Sequence, residues 1–143
     1  MKPEQFIREY ELPEAKRILE EAPKHSQFVI PCLDGEMYFS QREDDGKWFK
    51  WSTGYSKWLE YFGKCNPLDL AYSLSDLKRL VESVELINLF GSIKIAKDKV
   101  KMADFNGFLL VSVPIENGLA DVYIHKVEQA IRDHESIYGG GDE

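Results

Sequence analysis

Apolar residues near the start of the chain follow the spacing of an amphipathic helix. Four of them in residues 12–23 are separated by three, four and three positions: Leu12, Ala15, Leu19 and Ala22. This spacing places them on one helix face. Pro3 and Pro13 each suit the first turn of a helix, and Pro23 ends one, because proline lacks the N–H that a helix interior needs. The pattern predicts two consecutive helices before residue 23.

The same apolar stripe recurs in the second half of the chain. Its members are Ile93, Ala96, Val100 and Ala103. Lys97 then corresponds to Lys16 of the first stripe. We therefore predict a second helix of the same kind.

Two β-prone runs joined by a turn signal follow each of these helices. The signals are Asp34-Gly35 and Asn117-Gly118. Asp-Gly and Asn-Gly favour a type I′ hairpin turn, because these residue types tolerate a positive φ. Pro31 and Pro114 cannot donate a hydrogen bond to a strand ladder, so we expect them at strand edges or bulges.

A third pair of segments completes the comparison of the two halves. Residues at i, i+4 and i+7 share a helix face in both segments: Leu77, Val81 and Val84, then Val127, Ile131 and His134. The order helix, hairpin, helix thus occurs over residues 1–90 and again over 91–138. We predict an internal duplication, with an insertion at 42–73 in the first copy.

These patterns predict an α+β fold. The two related helix–β-hairpin–helix units are expected to form one domain over 1–138, with helices on one side of a mostly antiparallel sheet. Inside the insertion, Asp45-Gly46 predicts a tight turn, 47–52 a strand, and 55–63 a short helix or strand. Residues 139–143, "GGGDE", are expected to form a disordered tail.

The insertion differs in composition from the rest of the chain. Residues 46–64 hold all three tryptophans, four lysines and one acidic residue, a net charge of +3 against −10 elsewhere. The candidate binding residues are Lys47, Trp48, Lys50, Trp51, Lys57 and Trp58. They suit a protein-contact surface, a platform that stacks single-stranded nucleic acid or nucleotides, or core packing between the copies. A contact surface requires at least one tryptophan to be substantially exposed.

Composition and charge narrow the class of protein. The 143 residues are 43% hydrophobic and 30% charged, as in globular proteins, and the net charge of −7 disfavours general binding to nucleic acid or anionic membranes. No apolar run approaches the length of a membrane helix, and the start "MKPEQF" lacks a signal-peptide core. Cys32 and Cys65 suit reduced thiols. We expect a cytoplasmic protein, monomeric or weakly dimeric, since duplication can replace a homodimer.

No catalytic or metal-binding constellation stands out. The chain has no phosphate-binding glycine loop, dinucleotide fingerprint or His-Glu-x-x-His zinc helix. His125 and His134 are nine residues apart, and the acidic run 43–45 lacks the ligand spacing of a calcium loop. A nucleophile pair of Cys32 and His25 would depend on an unforeseen fold. We therefore expect no enzymatic activity, no cofactor and no metal.

Two segments of the chain resemble phage proteins. "PEQFIREYELPEAKRILEEAP" and "SLSDLKRLVESVELINLFGSIKIAKDKV", about 50 residues together, are similar to uncharacterised accessory proteins from early regions of lambda-like phages and enterobacterial prophages. Pro13 departs from the pattern, as does Ser92, where a second glycine after Gly91 is more typical. The resemblance implies a bacterial host cell and supplies no catalytic residues. Because no catalytic site can be resolved in the sequence, we expect a non-enzymatic accessory protein that binds a host or phage protein.

Overall fold

The fold is α+β, as the sequence predicts. A computed structural model of the chain describes residues 2–32, 35–64 and 66–139. Within them, four helices and seven strands are present, and the strands form two antiparallel sheets where one was expected. The chain divides into two compact units, 1–78 and 79–143. This division falls inside a helix, whereas the predicted repeats meet near residue 90.

In both units a run of consecutive strands lies between helices in the chain order. The first unit contains α1 Pro3–Glu21, β1 Phe28–Cys32, β2 Gly35–Gln41, β3 Trp48–Ser52, β4 Lys57–Glu60, a 3-10 turn Pro67–Asp69 and β5 Tyr72–Ser73. The helix α2, Leu74–Phe90, begins in the first unit and continues into the second. The second unit adds α3 Ile93–Phe105, β6 Leu110–Ile115, β7 Gly118–Tyr123 and α4 Ile124–Tyr138. Among the described residues, no helix has the length and apolar character needed to cross a bilayer.

The helix α1 consists of two helical segments, which confirms the prediction from its prolines. Glu11 interrupts it with φ 69° and ψ 166°, two residues before Pro13. That conformation is almost confined to glycine, so the helical hydrogen bonding cannot run through it. The first segment buries Phe6 and Ile7, and the second buries Ala15 of the predicted stripe.

The sheet of the first unit has the strand order β4-β3-β2-β1-β5. Val29 in β1 pairs with Tyr38 in β2, and both side chains are buried. The Tyr38 hydroxyl donates to the Ile18 carbonyl at 3.4 Å, so this face of the sheet lies against α1. Burial raises the pKa of Tyr38 to about 12, and the negative charge of Glu36 contributes. Arg17 of α1 also donates to the Glu36 carboxylate of β2, which adds a charged contact between helix and sheet.

The second unit is built around a two-stranded ribbon formed by β6 and β7. One face of the ribbon packs with α3 and α4 into a core of buried residues: Ile87, Phe90, Ile93, Ala96, Ala103, Val111, Val113, Val127, Ala130 and Ile131. The predicted stripe of α3 therefore faces the core, with Val100 half-buried at its edge. The stripe prediction is confirmed for this helix.

The turn between β6 and β7 differs from the predicted type I′ turn. Ile115 pairs with Gly118, so the loop residues are Glu116 and Asn117, one position earlier than predicted. Gly118 has a φ of 139°, and neither loop residue has a positive φ. A type I′ turn needs a positive φ at both loop residues. The predicted hairpin is confirmed. Its predicted turn type is wrong, because Gly118 is the first residue of β7 and not a loop residue.

Both prolines in the hairpins lie where no ladder bond is lost, as predicted. Pro31 lies in β1 beyond the last residue paired with β5. Just before β6, the Leu109 carbonyl accepts a hydrogen bond from the Ile124 N–H at 2.9 Å. This bond fixes which backbone groups of β6 point to β7 and which point away from it. By that alternation Pro114 faces the open side of β6.

The two hairpins agree in one respect and differ in another. In both, a glycine begins the second strand and closes a two-residue loop: Gly35 and Gly118. Asp34, in the first loop, lies outside the described residues. In the first hairpin, the buried residue Val29 lies three positions before Cys32, which closes the loop with Gly35. In the second hairpin, the buried residue Val113 lies two positions before Ile115, which closes the loop with Gly118. The hairpins thus turn opposite faces to their helices, and the internal duplication stays a prediction.

A buried carboxylate joins α4 to the part of α2 that belongs to the second unit. Asp133 accepts hydrogen bonds from Ser83 Oγ at 2.6 Å, Gln129 Nε2 at 2.9 Å and Arg79 Nε at 3.4 Å. A buried charge is costly unless it is paired and hydrogen-bonded, and this network meets that need. Beyond Gly139, the predicted tail lies outside the described residues.

Replacing Asp133 by asparagine should destabilise the second unit. The amide has one oxygen where the carboxylate has two, so at least one of the three donors loses its acceptor. We expect the free energy of unfolding to fall by about 1–3 kcal/mol in urea denaturation. Glu128→Gln, on the exposed face of the same helix, is the matched control and should change it by less than about 0.5 kcal/mol. Equal effects of the two substitutions would contradict the role of the network.

Replacing Glu11 by glycine should be neutral or stabilising. Relief of the positive φ at this position offsets the greater chain entropy of glycine, so we expect a gain of up to about 1 kcal/mol in the free energy of unfolding. Glu9→Gly, in regular helix two residues earlier, should instead cost about 1 kcal/mol. Thermal denaturation of both variants tests this, and a loss of stability in Glu11→Gly equal to that in Glu9→Gly would refute the kink.

Candidate functional site

The insertion forms a β-hairpin, which we call the aromatic hairpin and define as residues 46–64. A tight turn leads into it, as predicted from Asp45-Gly46. The Arg42 N–H donates to the Lys47 carbonyl at 2.9 Å, and Gly46 takes a φ of 71°. The Asp45 carboxylate accepts from the Lys47 N–H at 3.0 Å, which lowers the pKa of Asp45, with the charge of Arg42 contributing. These bonds set where β3 begins.

Strand register divides the six predicted binding residues between two faces of the sheet. Trp51 pairs with Trp58, so their side chains share one face. The Lys47 Nζ reaches Glu60 on that same face at 3.6 Å. The other face carries Trp48, Lys50 and Lys57, because side chains alternate along a strand. The six residues therefore do not form one cluster.

Trp51 and Trp58 form an edge-to-face pair that is attached to the rest of the first unit. Their ring centroids are 5.5 Å apart with an interplanar angle of 70°. The Trp58 Nε1–H donates to the Lys24 carbonyl at 3.1 Å. Both indoles are half-buried. Because the rings stand at a steep angle to each other, they do not present one flat stacking surface.

Trp48 belongs to a separate aromatic group on the opposite face. Its ring lies 5.5 Å from Phe28 and 6.5 Å from Phe39. Phe39 is buried, and Tyr61 packs against it edge-on at 5.2 Å. Trp48 itself is half-buried, as are the other two tryptophans. The three indoles are thus neither fully enclosed nor substantially exposed.

The most exposed large side chains of the aromatic hairpin are not its tryptophans. Phe62 is 82% exposed, Tyr55 74% and Leu59 38%. Leu59 and Phe62 line an open depression of about 630 Å³, together with Met37, Lys50, Trp51 and Tyr61. Of the predicted residues, Lys50 and Trp51 reach this depression, and Lys47 and Lys57 are exposed.

The strand β4 is the end strand of the sheet, and its outer backbone is unpaired within the described chain. The Tyr61 N–H donates to the Trp48 carbonyl at 2.7 Å, which sets the phase of the ladder between β3 and β4. Lys57 and Leu59 consequently direct their backbone groups to β3. The N–H and carbonyl groups of Trp58 and Glu60 point away from the sheet.

A second exposed apolar region lies in the second unit and was not predicted. Phe105 at the end of α3 is 91% exposed, and Phe108 and Leu109 follow it before β6. The sequence carried a signal for it, because Phe105 lies off the buried stripe of α3. Turns such as the one at Asn106-Gly107 are usually formed by small and polar residues, so three large apolar residues beside it indicate another role.

The remaining sequence candidates form no site in the part of the chain that the structure describes. His125 stacks on Tyr123 at 5.6 Å, and His134 lies 4.8 Å from the ring of Tyr138. No group of three or more histidine, cysteine, aspartate or glutamate side chains suited to a metal is present there. The Cys32 side chain and all of Cys65 lie outside the described residues.

No protein-family model, curated protein sequence or solved structure matches the chain. The similarity of its two segments to phage accessory proteins therefore stays a prediction.

Replacing Trp58 by phenylalanine should cost stability even without a partner. The variant loses the hydrogen bond to the Lys24 carbonyl and part of the contact with Trp51, so we expect the free energy of unfolding to fall by about 1–2 kcal/mol. Tyr55→Phe, in the exposed turn of the same hairpin, should leave it unchanged. Chemical denaturation followed by circular dichroism measures both, and a neutral Trp58→Phe would show that the indole is not anchored.

Proposed function

We propose that this chain is a non-enzymatic binding protein that holds a host or phage protein against its aromatic hairpin. One observation carries the proposal: within residues 2–32, 35–64 and 66–139, the backbone groups of Trp58 and Glu60 at the open edge of β4 have no partner, and they lie beside the exposed side chains of Leu59 and Phe62. Unpaired strand edges attract other strands unless they are protected. A protein that leaves such an edge next to apolar side chains is suited to strand addition.

In this proposal the partner contributes an extended segment that pairs with β4. Its backbone gains hydrogen bonds with Trp58 and Glu60, each worth about 0.5–1.5 kcal/mol net. Its alternate side chains reach the depression beside Leu59 and Phe62, which supplies specificity. The half-buried tryptophans then act as the rigid support of the edge strand.

The local charge favours an acidic partner. The aromatic hairpin has a net charge of +3, while the rest of the chain carries −10. Lys57 is exposed on β4, whereas the depression is lined by Lys50 together with Glu36 and Glu60. An acidic segment would therefore be attracted to the hairpin as a whole and repelled by the remaining surface, while the depression itself suits its uncharged side chains.

The geometry gives less support to single-stranded nucleic acid as the partner. Stacking of successive bases needs exposed aromatic faces along one basic groove. Here the indoles are divided between two faces of the sheet, and Trp58 is bonded to the Lys24 carbonyl. A short oligonucleotide should therefore fail to quench tryptophan fluorescence at low salt.

The similarity to phage and prophage accessory proteins supports a cellular setting for this function. We propose that the protein acts in the cytoplasm of an enterobacterial host, during infection or lysogeny. Its partner would be a host or phage protein present at that stage.

Blocking the open edge of β4 should strongly weaken binding without unfolding the hairpin. Glu60→Pro removes one outward N–H, whereas the bonds between β4 and β3 involve other residues, and proline is tolerated at such edge positions. Glu60→Ala keeps the N–H and loses the same side chain, so it is the matched control. Tagged proteins are incubated with lysates of infected and uninfected enterobacteria, and captured proteins are quantified by mass spectrometry. We expect capture to fall about tenfold or more with Glu60→Pro and to persist with Glu60→Ala.

Two further variants test whether the exposed side chains beside the edge of β4 also contribute to capture. Phe62→Ser removes the most exposed anchor and should also weaken capture, while Leu70→Lys, exposed elsewhere in the first unit, should not. Circular dichroism verifies that Glu60→Pro is folded. The proposal is wrong if no protein is captured above the bead background, or if Glu60→Pro and Phe62→Ser capture as well as the unsubstituted chain.

A further inference from the structure

The ribbon of the second unit has one face in the core and one face open. The open face carries three cross-strand pairs, all of them exposed: Leu110 with Tyr123, Ser112 with Asp121, and Pro114 with Leu119. Four of these six residues are apolar or aromatic. A hairpin of two strands is only marginally stable unless its faces are packed, and half of this one has no cover within the described chain.

The segment that leads into the ribbon also exposes large apolar residues. Phe108 and Leu109 directly precede β6 in the chain, and Phe105 ends the helix before them. We call the whole the ribbon surface and define its large apolar members as Phe105, Phe108, Leu109, Leu110, Leu119 and Tyr123. Their exposed fractions range from 42% to 91%. Scattered single apolar residues are ordinary on a protein surface, but a group of large exposed apolar residues on one short stretch of chain is typical of an interface.

The size of the ribbon surface fits a standard protein interface. A large side chain contributes about 150–250 Å², so the exposed parts of these six amount to roughly 600–900 Å². Each partner in a stable complex contributes about 800 Å². The ribbon surface is therefore large enough to form an interface without any other part of the chain.

The low charge of the open ribbon face makes a second copy of this chain a suitable binding partner for it. Two copies carrying −7 each repel one another across most of their surfaces. The six paired residues of the open face include a single formal charge, Asp121, which accepts a hydrogen bond from Ser112 Oγ at 3.2 Å. This face is the place where two copies can approach closely with little repulsion.

The strand edges of the ribbon are less suited to self-association than its face. Pro114 has no N–H to offer at the open side of β6. Along β7, antiparallel pairing of two copies centred on Asp121 would place like charges directly opposite each other, which is destabilising. Face-to-face packing of the two ribbons uses neither strand edge and buries the apolar residues. A twofold axis along the strands would place Asp121 of each copy over Ser112 of the other copy and not over its own equivalent.

We propose that the ribbon surface is a homodimer interface, in which two copies pack their open ribbon faces together about a twofold axis. This contact involves the second unit alone and does not depend on the partner proposed for the aromatic hairpin. Apolar contacts carry it, so added salt should not dissociate it and should reduce the repulsion between the acidic copies.

Analytical ultracentrifugation of the full chain over a range of concentrations tests the proposal. We expect a monomer–dimer equilibrium with a Kd of about 1–100 µM. Leu119→Lys and Phe108→Lys introduce a charge at the two ends of the ribbon surface, and each should raise the Kd about tenfold or more. Both side chains are exposed, so the fold should persist, which circular dichroism verifies.

Leu70→Lys is the matched control, because Leu70 is also an exposed leucine but lies in the first unit. It should leave the Kd unchanged. A chain that stays monomeric at every concentration overturns the proposal. So does a dimer that Leu119→Lys and Phe108→Lys leave intact, since the copies would then meet elsewhere. Loss of partner capture with an unchanged dimer, or the reverse, separates this proposal from the one for the aromatic hairpin.

Discussion

The candidate site depends on one constraint, the alternation of side chains and backbone groups along the strands of the first sheet. The phase set by the bond between Tyr61 and Trp48 decides which backbone groups of β4 remain unpaired. The same phase places Trp51 and Trp58 on one face and Trp48 on the other. A register shift of one residue would exchange the two faces and pair the groups that now point outward. Every property proposed for the aromatic hairpin follows from this register.

Contacts outside the hairpin hold the register. The turn between Arg42 and Lys47 fixes the start of β3, and the bond from Trp58 to the Lys24 carbonyl joins the end strand to the segment after α1. Arg17 and Glu36 connect the same helix to β2. The edge strand is therefore supported by its pairing with β3 and by a contact on one face of the sheet. A supported edge can pair with a partner segment at little conformational cost, because the strand is already ordered.

Much of the fold could be predicted from local patterns, because these depend on neighbours in sequence. The stripe of α3 and the break in α1 before Pro13 follow from helix periodicity and proline chemistry. The phase of the second hairpin could not be predicted, since Asn117-Gly118 fits two loop positions and packing of Val113 decides between them. Composition also could not predict how the candidate binding residues are divided between the two faces of the sheet. Trp48 and Trp51 are three residues apart, which in a strand already means opposite faces, and counting aromatic residues ignored it.

The predicted duplication offers an account of why the two sheets differ. If both halves descend from one hairpin, the insertion in the first copy supplied β3, β4 and β5, which extend β1 and β2 into a sheet of five strands. The second copy has no such insertion, so β6 and β7 remain a pair with one uncovered face. The two hairpins turn opposite faces to their helices. In one copy, the helix must therefore also have changed the face of the hairpin on which it packs. On this account, the open edge of β4 and the open face of the ribbon have one origin. At the edge of β4 no further strand was added, and on the ribbon no helix covers the second face. Both surfaces are therefore open to contact with another chain.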